Sequence, residues 1–236
     1  MLKRFNFLPL FLVVLLMTAP TFAQLELGVQ GGVNVTTLRG ENLAGEEIDF
    51  ESRNGLALGG IVGFLFGDAL CLYLQPMLLQ KGAKFKAANA FEIDTTLFGN
   101  PEVAFELAYL EVPVMLRFDF AKGPVKPYLM AGGSVALHLG SDFAGEFIDL
   151  PVEADLTDVI ETLEFSADAG LGIRYDFSVF SLFAEAHYQY GFTDILKGGE
   201  LEIDLGGVTL PVTVPDLDIR GSGFRAIGGL SFKIGG

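Results

Sequence analysis

Tryptophan is absent, cysteine occurs once, histidine occurs twice, and the 30 acids outnumber the 15 lysines and arginines two to one. The single cysteine, Cys71, permits no internal disulfide and is read as a small apolar filler. The two histidines, His138 and His187, fall in strand-like segments and not in connections, so catalysis is hard to build. A formal charge of −15 argues against nucleic acid as a partner, because phosphate binding calls for basic stripes. Long apolar runs are missing as well. The longest, Phe7 to Met17, covers eleven residues, whereas a spanning helix needs about 20. If the chain crosses a membrane, it crosses as strands.

What is present at the start is an export address. Lys3 and Arg4 precede that apolar run, and Thr21-Phe22-Ala23 forms a small-residue cleavage site before Gln24. Residues 1–23 are therefore expected to be a cleaved signal peptide, with 24–236 as one domain. No cysteine directly follows the run at the cleavage site, which disfavours a lipid-modified N-terminus. Without Lys3 and Arg4 the formal charge is −15 − 2 = −17.

The remaining sequence carries a two-residue rhythm in eight segments. They are Leu25 to Leu38, Gly55 to Phe66, Ala69 to Lys81, Phe105 to Phe120, Pro127 to Leu139, Leu163 to Asp176, Phe180 to Phe192 and Ile219 to Ile234. In the fourth, Leu110, Val112, Val114, Leu116 and Phe118 alternate with Glu111, Pro113, Met115, Arg117 and Asp119. Such alternation fits a strand with different surroundings on its two faces. Pro76 predicts a bulge or an unpaired point in the third strand. The connections run long, short, long, short, long, short, long, which matches a barrel with long extracellular loops and short periplasmic turns and puts both chain ends in the periplasm.

The expected fold is thus all-β: an eight-stranded antiparallel up-and-down transmembrane barrel in a bacterial outer membrane. A ten-stranded count is the alternative, using a hairpin around Gly206-Gly207, but Pro211 and Pro215 make that hairpin poor wall material and favour its projecting beyond the membrane. Helical spacing is expected for Val152, Leu156, Val159, Ile160 and Leu163. Aromatics should mark the interfaces: Phe64, Phe66, Phe118, Phe120, Tyr175 and Phe180 at the short turns, Phe105, Tyr190, Phe192 and Phe224 at the loops.

Four connections, Arg39 to Asn54, Ala83 to Ala104, Ser141 to Thr162 and Asp194 to Asp218, hold 21 of the 30 acids. The plain reading is a solvated, repulsive surface. A divalent-cation site is the sharper one, yet no Asp-x-Asp-x-Asp-Gly spacing supports it; no metal or other cofactor is expected.

The polar faces put Glu111, Arg117, Asp168, Arg174, Glu185, His187, Arg225 and Lys233 inside the barrel. Eight strands leave an interior just wide enough for side chains to fill. Ionised groups there must pair, so the eight are expected to form a salt-bridged plug. A selective pore would need a wider barrel or a movable plug. His138 with Ser134 and Ser141 leaves a Ser/His/Asp hydrolase open as a further alternative. A periplasmic lipocalin-like barrel would instead turn its apolar residues inward.

Several segments resemble the PorT-like outer-membrane β-barrel domain of Gram-negative bacteria, a relative of the small OmpX/OmpA-type barrels. They are Leu74-Gln75-Pro76 through Gln80-Lys81-Gly82, Tyr109 to Pro113, Tyr128 to Gly133, Gly170-Leu171-Gly172 and Glu185 to Gly191. His187 stands where an Arg is usual, and Gly235-Gly236 extend past the usual terminal aromatic. The stretch Gly229 to Ile234 is similar to the C-terminal signal read by the barrel insertion machinery. The resemblance implies location and fold. The expected function is non-enzymatic: a structural or surface-interaction role through acidic loops. The alternatives are a narrow porin-like transport channel, an accessory part of a secretion system, or a loop-based hydrolase. Expected partners are outer-membrane lipid, the insertion machinery, and an extracellular or envelope protein.

Overall fold

The computed structural model describes residues 24–40, 51–86, 102–147, 150–155, 159–205, 209–214 and 218–234. The expected signal peptide lies outside them, as does Leu156. Twelve strands are formed in chain order: β1 (Gln24–Arg39), β2 (Glu51–Phe66), β3 (Leu70–Leu74), β4 (Met77–Lys86), β5 (Glu102–Asp119), β6 (Val125–Phe147), β7 (Leu150–Asp155), β8 (Leu163–Asp176), β9 (Ser181–Gly191), β10 (Gly199–Leu205), β11 (Thr209–Val214) and β12 (Arg220–Ile234). All pairings are antiparallel, and β12 pairs β1 over fifteen residues to close the ring. Counting β3 and β4 as one interrupted strand, the ring has eight members: β1, β2, β3/β4, β5, β6, β8, β9 and β12.

The interruption falls at Pro76. The ladder keeps its register across it, from Leu74 opposite Val62 to Met77 opposite Gly59. Gly60 still donates its N–H to the Pro76 carbonyl at 2.9 Å, and Gln75 donates to the Pro113 carbonyl at 3.0 Å. Proline cannot return the bond. The Gln30 side chain supplies a long replacement to the Gly60 carbonyl, 3.4 Å, from inside the barrel.

The faces follow from what lies on either side of the wall. Leu58 is 68 % and Leu171 60 % exposed, whereas Glu26 and Glu111 are 0 % exposed. Leu110 and Val114 face outward while Arg117 is enclosed. Lipid accepts the apolar outer face, and the polar groups it rejects turn inward. The lipocalin-like alternative, with the reverse polarity, is excluded. Lumen tyrosines need room as well: a Cβ on Gly63 would fall against the Tyr73 ring, and one on Gly172 against the Tyr128 ring.

β6 is 23 residues long, while about 9–11 residues suffice to cross a bilayer. Its upper part is stepped by a bulge: its partner on β5 jumps from His138, opposite Tyr109, to Gly140, opposite Ala108, leaving Leu139 unpaired. A bulge of one residue exchanges the two faces of the strand beyond it. Ser141 is accordingly buried where Leu139 is exposed. Beyond the bulge β6 pairs β7 and β7 pairs β10, which forms a hairpin with β11. In register, Asp142 stands opposite Asp155, Ala144 opposite Glu153 and Asp204 opposite Glu153.

Two expectations need correcting here. Val152 lies in strand β7, not in a helix, because pairing with β6 supplies the backbone partners that a lone amphipathic stretch would lack. The acidic stretch from Ser141 is likewise largely strand, carried by the extension of β6. The hairpin near Gly206 does form, but it joins the sheet through β7 and does not enter the eight-membered ring.

Candidate functional site

The site is the interior of the ring. Alternation along each strand delivers one inward side chain every second residue, and the tilted strands stack these into layers.

At the short-turn end, β8 supplies Arg174, whose Nη1 lies 2.7 Å from both carboxylate oxygens of Glu26 on β1. Its Nη2 donates to Ser181 Oγ at 2.6 Å, and its Nε pairs with Asp176. The Tyr73 hydroxyl donates to Glu26 at 2.9 Å and itself accepts from Arg117. Arg117 pairs with Asp119 two residues along its own strand, at 2.9 Å, and stacks over the rings of Tyr73 and Tyr128.

The middle layer centres on Glu185 of β9. It accepts from the Tyr128 hydroxyl at 2.8 Å and from Gln75 at 3.1 Å, and contacts His187 Nε2 at 2.8 Å. Gln75, fully enclosed beside Pro76, also donates to Gln30 at 3.3 Å.

Toward the loops, Glu111 of β5 is the hub. Arg225 Nη2 lies 2.6 Å from one of its oxygens and Lys81 Nζ 3.3 Å from the other. Gln189 donates to Glu111 at 2.9 Å and to Ser134 and Ser166 at 3.1 and 2.9 Å. Lys81 also pairs with Glu164 at 3.0 Å, and Ser134 donates to Asp168 at 2.8 Å. Beyond this layer the buried side chains are mostly apolar, Leu38, Leu107, Val159, Ile160, Ile195 and Ile219, with Ser141 and Ser222 among them. Segments of the connections fold in to form this apolar end. Lys197 donates to the Val159 carbonyl at 3.0 Å, and Ile195 to that of Ile219 at 2.7 Å.

Seven of the eight residues picked from sequence, Glu111, Arg117, Asp168, Arg174, Glu185, His187 and Arg225, lie buried in the lumen. Lys233 does not. It stands at the short-turn rim with its side chain 37 % exposed, 3.2 Å from Asp176. Alternation fixes its face correctly but not its depth, and position 233 is almost at the end of β12. Sequence reasoning left out Glu26, Lys81, Glu164 and Asp176 as partners, although each shares its strand's inward parity. Ser134 is bonded to Asp168, Gln189 and Ser166, and His138 packs against Tyr109 with ring centroids 5.4 Å apart. Among the described residues no group of three or more His, Cys, Asp or Glu could hold a metal ion.

Residues 22–197 match the family described as outer membrane protein beta-barrel domain. A comparison with curated proteins found no match. Among solved structures, the outer membrane protein OprG from Pseudomonas aeruginosa is similar over 91 % of this chain and 97 % of its own, at 12 % identity and a TM-score of 0.58. Ail, the attachment invasion locus protein of Yersinia pestis, matches over 89 % and 99 % at 14 % identity, with a TM-score of 0.41. Neisserial surface protein A matches over 88 % and 97 % at 15 % identity, with a TM-score of 0.40. The likeness to OprG concerns the fold.

Proposed function

Because this chain belongs to the outer membrane protein beta-barrel domain family, we propose that it is a sealed, non-enzymatic barrel of the bacterial outer membrane that works through what its loop end displays. The observation that carries this reading is the occupied lumen. Three hydrogen-bonded polar layers follow one another along the axis, the first and third holding buried ion pairs, and a largely apolar end succeeds them. An ion crossing this interior would have to break buried pairs, each costing several kcal/mol.

The loop end carries the large extension of β6, β7, β10 and β11, whose sequence includes Asp142, Glu153, Asp155 and Asp204. Such a surface suits contact with an extracellular or envelope protein, or a structural role in the envelope. In our reading the short connections and both chain ends face the periplasm, residues 1–23 are removed on export, and the motifs from Leu74 to Gly82 and from Glu185 to Gly191 belong to a PorT-like branch. Ser134 held by an aspartate and a glutamine supports the absence of a hydrolase centre. Planar-bilayer recording tests the proposal: the purified protein should give no reproducible conductance steps. Regular steps would replace it with the porin-like reading. His138→Ala should leave cell-surface phenotypes unchanged, and loss of an activity on lipid or peptide would reinstate the hydrolase.

A further inference from the structure

A cavity of about 60 Å³ opens at the short-turn mouth, lined by Cys71, Arg117, Asp119, Lys126, Arg174 and Lys233 among others. Four of the chain's fifteen lysines and arginines thus converge on one small space in a strongly acidic protein. The carboxylates there do not balance them. Lys126 and Lys233 reach the same oxygen of Asp176, at 2.9 and 3.2 Å, and Arg174 pairs with that carboxylate too. Glu26 is taken by Arg174 and Asp119 by Arg117. Four cations against Glu26, Asp119 and Asp176 leave one positive charge over. Asp68 also lines the cavity, but its side chain is 79 % exposed at the rim, where water and salt screen its charge.

Two ammonium groups crowded on one carboxylate oxygen repel each other and retain unused donors. The volume corresponds to about two water molecules, the space a carboxylate or phosphate group would take. Lys126 is 16 % exposed and Lys233 37 %, so a solute can reach them while the inner wall lowers the local dielectric. We propose that this mouth is a binding site for a small oxyanion, carrying a carboxylate or phosphate group, held chiefly by Lys126 and Lys233 over the Arg117–Arg174 floor.

The experiment is calorimetric titration of the protein, purified from the membrane into detergent micelles, with inorganic phosphate and with acetate. Sodium chloride at matched ionic strength is the reference. Saturable binding of phosphate, acetate or both beyond chloride is expected; phosphate alone assigns a phosphoryl group, and acetate a carboxylate. The K126Q/K233Q variant should bind about tenfold more weakly or worse. K122Q, which changes a rim lysine off the cavity, should bind like the parent. Heat-modifiable migration verifies folding, and if the double variant fails to fold, K233Q alone is read by the same titration. Heats equal to those of chloride, or unchanged affinity in the folded lysine variant, overturn the proposal.

Discussion

Glu111 accepts from Arg225 and Gln189 through one oxygen and faces Lys81 with the other, so truncating it leaves two buried cations with Glu164 as the near carboxylate. Removing one partner of a buried pair costs about 3–5 kcal/mol, because the orphaned charge stays enclosed. Glu111→Ala is therefore expected to lower the urea midpoint of the folded barrel sharply, followed by the gel shift between folded and unfolded forms. A midpoint within error of the parent would contradict the assignment of Glu111 as a hub. Glycine contributes at the same scale by leaving space. Gly172→Ala drives a methyl into the Tyr128 ring, an overpacking that costs about 1–3 kcal/mol. Tyr128→Leu in the same chain should recover much of that loss, giving a non-additive pair in a double-mutant cycle. Simple addition of the two losses would show that ring and glycine do not oppose each other.

Single elements are held by their surroundings more than by propensity. Leu58 on β2 is 68 % exposed to the lipid side, and an arginine near the bilayer midplane of such a wall costs about 2–4 kcal/mol. Leu58→Arg should reduce folded yield in lipid vesicles, whereas Thr213→Arg, at an exposed position of β11, should not. Replacing 199–214 by a short linker tests the hairpin. The eight-membered ring does not use β10 or β11, so heat-modifiable migration should survive the deletion, and its loss would make the extension part of the folding unit. The wall strands were legible because lipid on one side forces strict alternation, as in Leu110 to Phe118. The extension was not. Its alternation, Asp142-Phe143 and Glu153-Ala154, is short and acidic, and the bulge at Leu139 breaks its phase with the wall below. Parity likewise found Glu185, Arg225 and Arg174 but missed Glu26, the partner of Arg174 148 residues away. Which layers meet depends on the stagger between strands, and no single strand records that.

Across the whole molecule, charge is sorted along the barrel axis. Arg117, Lys122, Lys126, Arg174 and Lys233 gather at the short-turn end, and the acidic positions of the β6–β7–β10 extension at the other. The enclosed pairs between these ends are shielded from salt, unlike exposed ones such as Lys122–Asp68. Raising ionic strength should therefore leave the urea midpoint nearly constant while weakening any contact made by the acidic extension, a contrast that surface-retention and unfolding measurements can read side by side. The closing seam has a temporal consequence. Val29 meets Leu230, and one whole edge of β1 from Leu25 to Arg39 pairs with β12, the last strand of the ring in chain order, so the cylinder cannot close before β12 is made. A nonsense codon anywhere before β12 would leave two raw sheet margins, prone to aggregate or be degraded.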